Sequence, residues 1–144
     1  MTAPRRVLFL CTGNSCRSQM AEGWLRHLAG ERAEVFSAGT EPAGLNALAV
    51  AVMREAGVDI SGHRSKRIDE LITQDFLFAI TVCDAAREAC PVFPGALYQL
   101  HWSFEDPATA IGTDQERMVV FRRIRDEIRD QVQEFAARER FLRR

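Results

Sequence analysis

Residues 11–18 read CTGNSCRS, which places the thiol of Cys11 near the guanidinium of Arg17 in the chain, with little side-chain bulk between them. Cys11 follows an apolar run, and Arg17 and Ser18 come directly before the helix-like run QMAEGWLRHLAG. Unpaired N–H groups at a helix start attract anions, and small residues between the two side chains let several such groups converge. Arginine adds a planar fork of donors that suits a tetrahedral oxyanion. The same field favours the thiolate form of Cys11, so the spacing predicts a cysteine nucleophile inside an oxyanion-binding loop.

The surrounding pattern predicts the elements that hold this loop. Apolar runs predict four strands, at 6–11, 33–39, 76–83 and 96–102. Helical spacing of apolar residues predicts helices at 18–29, at 45–56 and from about Thr113, where Glu116 has capping-box spacing, to the C-terminus. Strands that alternate with helices predict an α/β fold with a parallel sheet, whose ligands bind at the carboxyl ends of strands. Cys11 and Cys83 both end predicted strands, so we expect them to share one site.

Composition limits the classes of function. The chain has 144 residues, 47% of them hydrophobic, and a formal net charge of −1. We therefore predict a single catalytic domain over residues 1–144, with no nucleic-acid or membrane partner. No apolar run reaches the roughly 18 residues of a membrane span, and the run VLFL is too short for a signal-peptide core. We expect a cytoplasmic monomer whose cysteines are reduced at rest.

Four cysteines in a reducing compartment favour metal binding or redox catalysis over structural bridges. A zinc site is disfavoured, because there is no Cys-x2-Cys pair and the three histidines are scattered, at His27, His63 and His101. Cys83 and Cys90 could also be two ordinary thiols. Cys16 is expected to pack the loop, although oxidation could join it to Cys11.

Three separated stretches carry a resemblance to a known family. VLFLCTGNSCRSQMAEGW (7–24) resembles the catalytic loop of the low-molecular-weight tyrosine phosphatase superfamily and, more narrowly, of the arsenate reductases built on that fold. VCDAAREACP (82–91) and HWSFEDPA (101–108) follow in the order of those reductases, and with FSAGTEP (36–42) the resemblance spans roughly residues 6–135. It implies a three-layer fold, a four-stranded parallel sheet flanked by helices.

The resemblance also implies a role for each matching residue. Cys11 matches the nucleophile, Arg17 the oxyanion-binding arginine, and Ser18 the hydroxyl that supports the thiolate. Asp106, followed by Pro107, matches the general acid that protonates the leaving oxygen. The whole loop is implied to bind the substrate, through Thr12, Gly13, Asn14, Ser15, Cys16, Arg17 and Ser18.

A cysteine relay follows from the same resemblance. Cys83 attacks Cys11 and releases arsenite, and Cys90 then attacks Cys83 to leave a Cys83–Cys90 redox disulfide. Thioredoxin or a low-molecular-weight thiol system resets the enzyme, with no bound cofactor or metal, in a role in arsenic detoxification. If 83–90 were helical, its ends would lie roughly 10 Å apart, whereas a disulfide needs about 4.4–6.8 Å between α-carbons. We therefore predict that a segment from about 80 to 97 loops out and is mobile.

Some relatives bind potassium through residues that resemble Asn14, Glu22 and Ser37. Lys66 stands where a further aspartate of those relatives would be, and a lysine repels a cation. We therefore do not expect potassium here. From the residues alone, Glu22 is expected to be an exposed acid in the first turns of its helix.

Two other functions fit parts of the pattern. A tyrosine phosphatase of the same fold would carry tyrosines near the Asp-Pro pair, but the stretch reads DPATAIG and the only tyrosine is Tyr98. Weak phosphatase activity is nevertheless expected, because phosphate and arsenate are near-isosteres. A non-enzymatic redox or oxyanion-sensing module would keep the downstream cysteines without needing Asp106 as an acid. The basic end RERFLRR (138–144) is expected to be a frayed, solvated helix end.

Overall fold

The computed structural model describes residues 5–143, and residues 1–4 and 144 lie outside that description. Four parallel strands form one sheet in the order β2-β1-β3-β4, with β1 at Arg6–Cys11, β2 at Glu34–Gly39, β3 at Phe76–Thr81 and β4 at Ala96–His101. The predicted parallel α/β architecture is confirmed. β3 ends at Thr81, so Cys83 follows the strand instead of ending it, contrary to the prediction.

Three α-helices connect and cover the strands: α1 at Arg17–Ala29, α2 at Ala47–Glu55 and α3 at Asp114–Arg138. Short 3-10 helices lie at Gly30–Arg32, Ile68–Leu71 and Pro107–Thr109. The capping box is present, since the Glu116 amide donates to Thr113 Oγ1 (3.2 Å) and the Thr113 amide donates to Glu116 Oε1 (3.1 Å). α3 ends at Arg138 and does not reach the C-terminus, where the prediction had put its end.

The two faces of the sheet are covered unequally. Val7, Phe9 and Cys11 of β1 point into the larger core, which α1, α2 and α3 complete. Leu8 and Leu10 point to the other face, where Leu71 of the second 3-10 helix and Phe93 of the connection before β4 form a thinner layer. Because both faces are covered, β1 reads as a continuous apolar run in the sequence.

The C-terminal tail is part of the core, so the expected frayed and solvated end is wrong for the described residues through Arg143. Phe141 is fully buried and lies against Phe135, with 5.7 Å between ring centroids. The guanidinium of Arg5 lies 3.9 Å above the Phe141 ring. Arg144 lies outside the described residues.

α3 is the longest helix, with 25 residues. Its inward side carries the apolar residues that the sequence predicted, and all of them are buried: Phe121, Ile124, Ile128, Val132 and Phe135. Its remaining positions are rich in charge. Across residues 5–143, none of the helices combines the length and the apolar character that crossing a lipid bilayer would require.

Candidate active site

The loop between β1 and α1 has its peptide groups oriented by a neighbouring segment. Three loop carbonyls accept amide protons from residues 41–46: Thr12 from Glu41 (2.9 Å), Gly13 from Ala43 (2.9 Å) and Ser15 from Asn46 (3.2 Å). In a trans peptide the next N–H points the opposite way from the carbonyl. The N–H groups that follow these carbonyls therefore face away from residues 41–46. One of them, the Asn14 amide, donates to Cys11 Sγ at 3.2 Å.

Asn14 gives the loop its tight curve and its connection to the sheet. Its φ is 47°, a left-handed conformation that asparagine tolerates, whereas Gly13 does not take a positive φ. The fully buried Asn14 side chain donates to Ser18 Oγ (2.8 Å) and Ser37 Oγ (2.9 Å), and its Oδ1 accepts from the Lys66 amide (2.9 Å). These bonds hold the loop in one shape.

A chain of hydrogen bonds connects Cys11 with a buried carboxylate. Ser18 Oγ lies 2.8 Å from Cys11 Sγ and accepts from Asn14, which leaves the serine proton free for the sulfur. Ser37 accepts from Asn14 and donates to Glu22 Oε1 at 2.5 Å. Because the carboxylate of Glu22 can only accept, it sets which group donates and which accepts in each hydrogen bond of this series, up to the thiol.

Glu22 is buried, so the expectation of an exposed acid is wrong. Its second oxygen lies 2.9 Å from the guanidinium of Arg26 and 3.7 Å from His63 Nε2. Burial lowers the pKa of His63, with the charge of Glu22 opposing, and burial also lowers the pKa of Lys66. With Ser37 and Arg26 already on both oxygens of Glu22, and two basic side chains nearby, these residues do not fit a potassium site.

Gly39 allows the end of β2 to approach the loop. A Cβ on this residue would overlap the carbonyl oxygen of Thr12 and would lie 2.8 Å from the carbonyl oxygen of Cys11. Both atoms belong to the backbone and cannot move aside. The position therefore requires glycine for close approach and not for a special φ.

Cys16 lies in the same loop but has a different chemical state. It is buried, and burial raises its pKa from 9.0 to about 12, with the Ser15 hydrogen bond opposing. Cys16 is therefore a neutral thiol at physiological pH. This state fits the packing role predicted for it and makes Cys16 a poor competitor of Cys11 as a nucleophile.

Arg17 is 3% exposed, and its guanidinium is held on three sides. Nη1 and Nη2 bind the two carboxylate oxygens of Glu88, the second bond measuring 3.2 Å, and Nη1 also donates to the Phe104 carbonyl at 3.2 Å. Asp106 Oδ2 lies 3.7 Å from Nη2. Burial would lower the pKa of Arg17, but the hydrogen bond with Glu88 and the charges of Asp106 and Cys11 raise it above its ordinary value.

Asp106 begins the 3-10 helix at Pro107–Thr109, and its Oδ1 accepts from the Ala108 amide at 3.0 Å. Proline at the first position of this helix fixes the turn that follows the carboxyl group. The predicted acid therefore lies beside the guanidinium of Arg17, which belongs to the predicted nucleophile loop. The structure therefore places Asp106, from a distant part of the chain, beside Arg17 of the loop that also contains Cys11.

The redox segment, residues 83–90, is closed by a disulfide between Cys83 and Cys90, whose α-carbons lie 6.0 Å apart. Cys11 and Cys16 are free thiols. The segment is a turn and not a helix, with the amides of Arg87 and Glu88 donating to the Asp84 carbonyl. Cys83 is fully buried and Cys90 is half-buried, so Cys90 is the sulfur nearer to solvent.

Sequence reasoning missed Glu88, which joins the redox segment to Arg17. Its carboxylate also accepts from the Asp84 amide at 2.8 Å. Burial would raise the pKa of Glu88, but the hydrogen bonds from Arg17 and from the Asp84 backbone lower it, so the group is ionised. The only sequence signal was an acid two residues before Cys90, in a segment already expected to change shape.

His101 also lies nearer to the cysteines than expected. One donor atom from each of Cys83, Cys90 and His101 lies within 4.8 Å of the others, so the description of this histidine as scattered is wrong. Its Nδ1 lies 2.6 Å from Thr81 Oγ1. The two sulfurs are bonded to each other and are not thiolate ligands in this state.

A cavity of about 320 Å³ opens beside the disulfide. Cys90 and His101 line it together with mainly apolar residues, among them Leu10, Pro91, Val92 and Phe93. Tyr98 lies on β4 with its ring on Phe78, 5.4 Å between centroids, and lines a different cavity with Arg138 and Glu139.

Residues 6–141 match the model of a family described as low molecular weight phosphotyrosine protein phosphatase. The chain belongs to this family. A relative in Halalkalibacterium halodurans, named arsenate reductase, is 48% identical over 130 residues, which cover 90% of this chain and 94% of that protein. The family and the fold predicted from the sequence are therefore confirmed.

Two solved structures have closely similar folds. One, called an arsenate reductase in the phosphate binding state, is 33% identical with a TM-score of 0.79 and covers 93% of this chain and 98% of that one. The other, called an arsenate reductase in oxidized state, is 30% identical with a TM-score of 0.79 and the same coverage of both chains. The likeness extends over almost the whole chain and is not limited to the Cys11 loop.

Proposed function

We propose that this protein is an arsenate reductase that passes two electrons from its cysteines to arsenate in one catalytic domain. One observation carries the proposal: in a chain 48% identical to an arsenate reductase, a Cys83–Cys90 disulfide closes a segment that contacts the arginine of the Cys11 loop. A phosphatase needs the loop but has no use for that disulfide.

The first step is attack of the Cys11 thiolate on arsenic. Arg17 and the loop N–H groups hold the remaining oxygens of arsenate, and an arsenic–oxygen bond breaks as the arsenic–sulfur bond forms. Asp106 gives its proton to the leaving oxygen, which departs as water. Ser18 stabilises the thiolate before attack, since its Oγ lies 2.8 Å from the sulfur.

The next steps move the oxidation away from the loop. Cys83 attacks Cys11 Sγ, the electron pair of the arsenic–sulfur bond stays on arsenic, and As(V) leaves as arsenite, As(III). Cys90 then attacks Cys83 Sγ and releases the Cys11 thiolate. The result is a Cys83–Cys90 disulfide with a free Cys11, which is the thiol distribution of this structure.

An external dithiol of the thioredoxin type, or a low-molecular-weight thiol system, then reduces the disulfide. Attack at Cys90 is favoured, because Cys90 is half-buried beside an open cavity whereas Cys83 is fully buried. We propose that this cycle runs in the cytoplasm, in a monomer, as part of arsenic detoxification.

The deciding experiment measures arsenite formation from arsenate with purified protein, thioredoxin, thioredoxin reductase and NADPH. Wild type is compared with Cys11→Ser, Cys83→Ser and Cys90→Ser, each also assayed on p-nitrophenyl phosphate. We expect the last two variants to lose arsenate turnover and keep ester cleavage, and Cys11→Ser to lose both. Ser61→Ala, at an exposed position outside the Cys11 loop and the segment 83–90, is the control and keeps both activities. Normal arsenate turnover in Cys83→Ser would contradict the relay.

Weak phosphatase activity is expected as a second reaction of the same site. The family assignment and the grouping of Cys11, Arg17 and Asp106 favour it. The relay cysteines are not needed, because water releases phosphate from Cys11. If the wild type cleaves phosphate esters well and reduces no arsenate with any thiol system, the phosphatase alternative is the correct one.

A non-enzymatic sensing module would not need Asp106 as an acid, whereas a reductase or a phosphatase would. Asp106→Asn keeps the size of the side chain but cannot supply a proton. We expect this variant to fold and to lose turnover of both substrates. Normal turnover in Asp106→Asn would remove the acid assignment.

A further inference from the structure

Glu88 binds the guanidinium of Arg17 with the geometry that an oxyanion would use. Both nitrogens of the guanidinium fork bind both oxygens of one carboxylate, the two-point geometry that arginine also uses for tetrahedral oxyanions. The guanidinium is buried, so it has room for few other partners. A carboxylate and a substrate oxyanion therefore compete for the same donors.

We propose that Glu88 is an internal ligand of the oxyanion site, which binds Arg17 in the Cys83–Cys90 disulfide state and leaves it when the disulfide is reduced. This inference rests on the proposed use of the Cys11 loop as an oxyanion site. Glu88 thereby makes substrate binding depend on the redox state of the enzyme.

The covalent structure of the redox segment links Glu88 to the disulfide. Glu88 lies inside the ring that the Cys83–Cys90 bond closes, and the Asp84 amide and carbonyl fix the turn that aims its carboxylate. Breaking the bond frees Cys90 from Cys83 and restores to the segment the conformations that the ring excludes. The placement of Glu88 on Arg17 then loses its main constraint.

The positive charge of Arg17 explains why a carboxylate such as that of Glu88 binds it. A buried cation without a partner is costly, and an enzyme that has just released its product has an empty loop. In the oxidised state Glu88 supplies the carboxylate that is hydrogen-bonded to Arg17, since Asp106 Oδ2 at 3.7 Å lies beyond hydrogen-bond distance. It also prevents a second arsenate or a cellular phosphate from binding to an enzyme whose Cys83 and Cys90 have no electrons to give.

Phosphate binding and reduction of the disulfide are thermodynamically linked, so each affects the other. A ligand that binds the reduced form more tightly also stabilises that form, so inorganic phosphate should make the disulfide easier to reduce. A tenfold preference for the reduced form corresponds, at saturating phosphate, to about 30 mV in the midpoint potential of this two-electron couple.

The test measures inorganic phosphate binding by calorimetry in two redox states. Oxidised protein is made with one equivalent of arsenate and no thiol, and mass spectrometry verifies that only Cys83 and Cys90 are joined; reduced protein is kept in dithiothreitol. We expect reduced wild type to bind phosphate at least tenfold more tightly than oxidised wild type. Equal affinity in the two states would overturn the proposal.

Variants separate Glu88 from other effects of oxidation. Glu88→Gln removes the charge and Glu88→Ala removes every bond to Arg17, and each should bring oxidised-state affinity to within about threefold of the reduced state. Glu105→Gln, which removes an exposed acid paired with Arg123, is the matched control and should keep the wild-type ratio. If both Glu88 variants also keep that ratio, something other than Glu88 excludes the anion.

A second readout does not depend on calorimetry. The midpoint potential of the disulfide is measured against a thiol buffer with and without phosphate, and it should rise in wild type and stay nearly constant in Glu88→Ala. If reduced wild type neither binds phosphate nor reduces arsenate, the proposed function and this inference both fail. If it does both and its potential does not respond to phosphate, only the inference fails.

Discussion

The Cys11 loop, residues 11–18, and the redox segment, residues 83–90, meet at Arg17 but are built in opposite ways. In the loop no residue is exposed, the carbonyls are bound by residues 41–46, and Asn14 bonds to α1 and to β2. In the redox segment only Cys83 is buried, and a single turn supplies the regular structure. The loop has its geometry fixed by many buried partners, whereas the segment is held by one disulfide, one turn and the contact of Glu88 with Arg17.

The contrast corresponds to what the proposed function requires of each region. An oxyanion site works best when its donors are in place before the substrate binds. A cysteine that collects electrons at one place and delivers them at another must change position, which requires few contacts to break. Substitutions should therefore have large effects in the loop and small ones at exposed positions of the segment.

The largest effect is expected at the point where the two regions meet. Arg17→Lys keeps the charge but loses the planar fork, so kcat/KM for arsenate should fall at least about 100-fold. Arg67→Lys, at an exposed position beside Asp69, is the control and should change little. Arg17→Lys activity within tenfold of wild type would mean that charge alone suffices.

Gly39→Ala tests how tightly the loop is held against β2. The new methyl group would overlap the Thr12 carbonyl, so we expect the free energy of unfolding to fall by at least about 2 kcal/mol in urea titration. Gly62→Ala meets nothing within 4 Å and should stay within about 0.5 kcal/mol of wild type. Equal stabilities of the two variants would show that the loop can move aside.

Alkaline pH should lower the free energy of unfolding through the ionisation of Cys16. Its pKa is raised from 9.0 to about 12, so between these values the unfolded chain loses a proton that the folded protein keeps. Stability of the oxidised protein therefore falls as pH rises above 9, by up to about 1.4 kcal/mol per pH unit from this group. Cys16→Ala should have a flatter profile, and parallel profiles for the two proteins would contradict the assignment.

The smallest effect is expected in the redox segment. Ala86 is exposed, and Ala86→Gly should change the free energy of unfolding by less than about 0.5 kcal/mol and arsenate turnover by less than about twofold. The comparison is Ala21→Gly in α1, a buried helical position where the loss should exceed about 1 kcal/mol. A large loss in Ala86→Gly would mean that the segment is less tolerant than its exposure indicates.

Local signals in the sequence were enough to predict most of the elements. The apolar run of β1, the start of α1 beside Arg17 and the capping box at Thr113 each depend on residues close in the chain. The motif resemblance supplied the pairing of Cys83 with Cys90, which spacing alone did not settle. These features needed no knowledge of distant partners.

Three of the errors, at Glu22, Phe141 and Glu88, share one cause, a partner far away in the sequence. Glu22 looked like a surface acid because Ser37 and His63, which surround it, come from other elements. Phe141 looked solvated because its neighbours Phe78 and Arg5 lie far from it in the chain. Glu88 was missed since its contact with Arg17 forms only when the redox segment is folded across the loop. Periodicity and capping rules carry no information on such contacts.

The buried tail also brings the two described ends of the chain to one place. Arg5 lies over Phe141 and donates to the Glu139 carbonyl at 2.7 Å. This junction is at the amino end of β1, about 20 Å along the strand from Cys11. A purification tag, a fluorescent fusion or an anchor to an electrode attached there would leave the thiol chemistry unobstructed. A short peptide joining the ends should likewise permit new termini elsewhere on the surface.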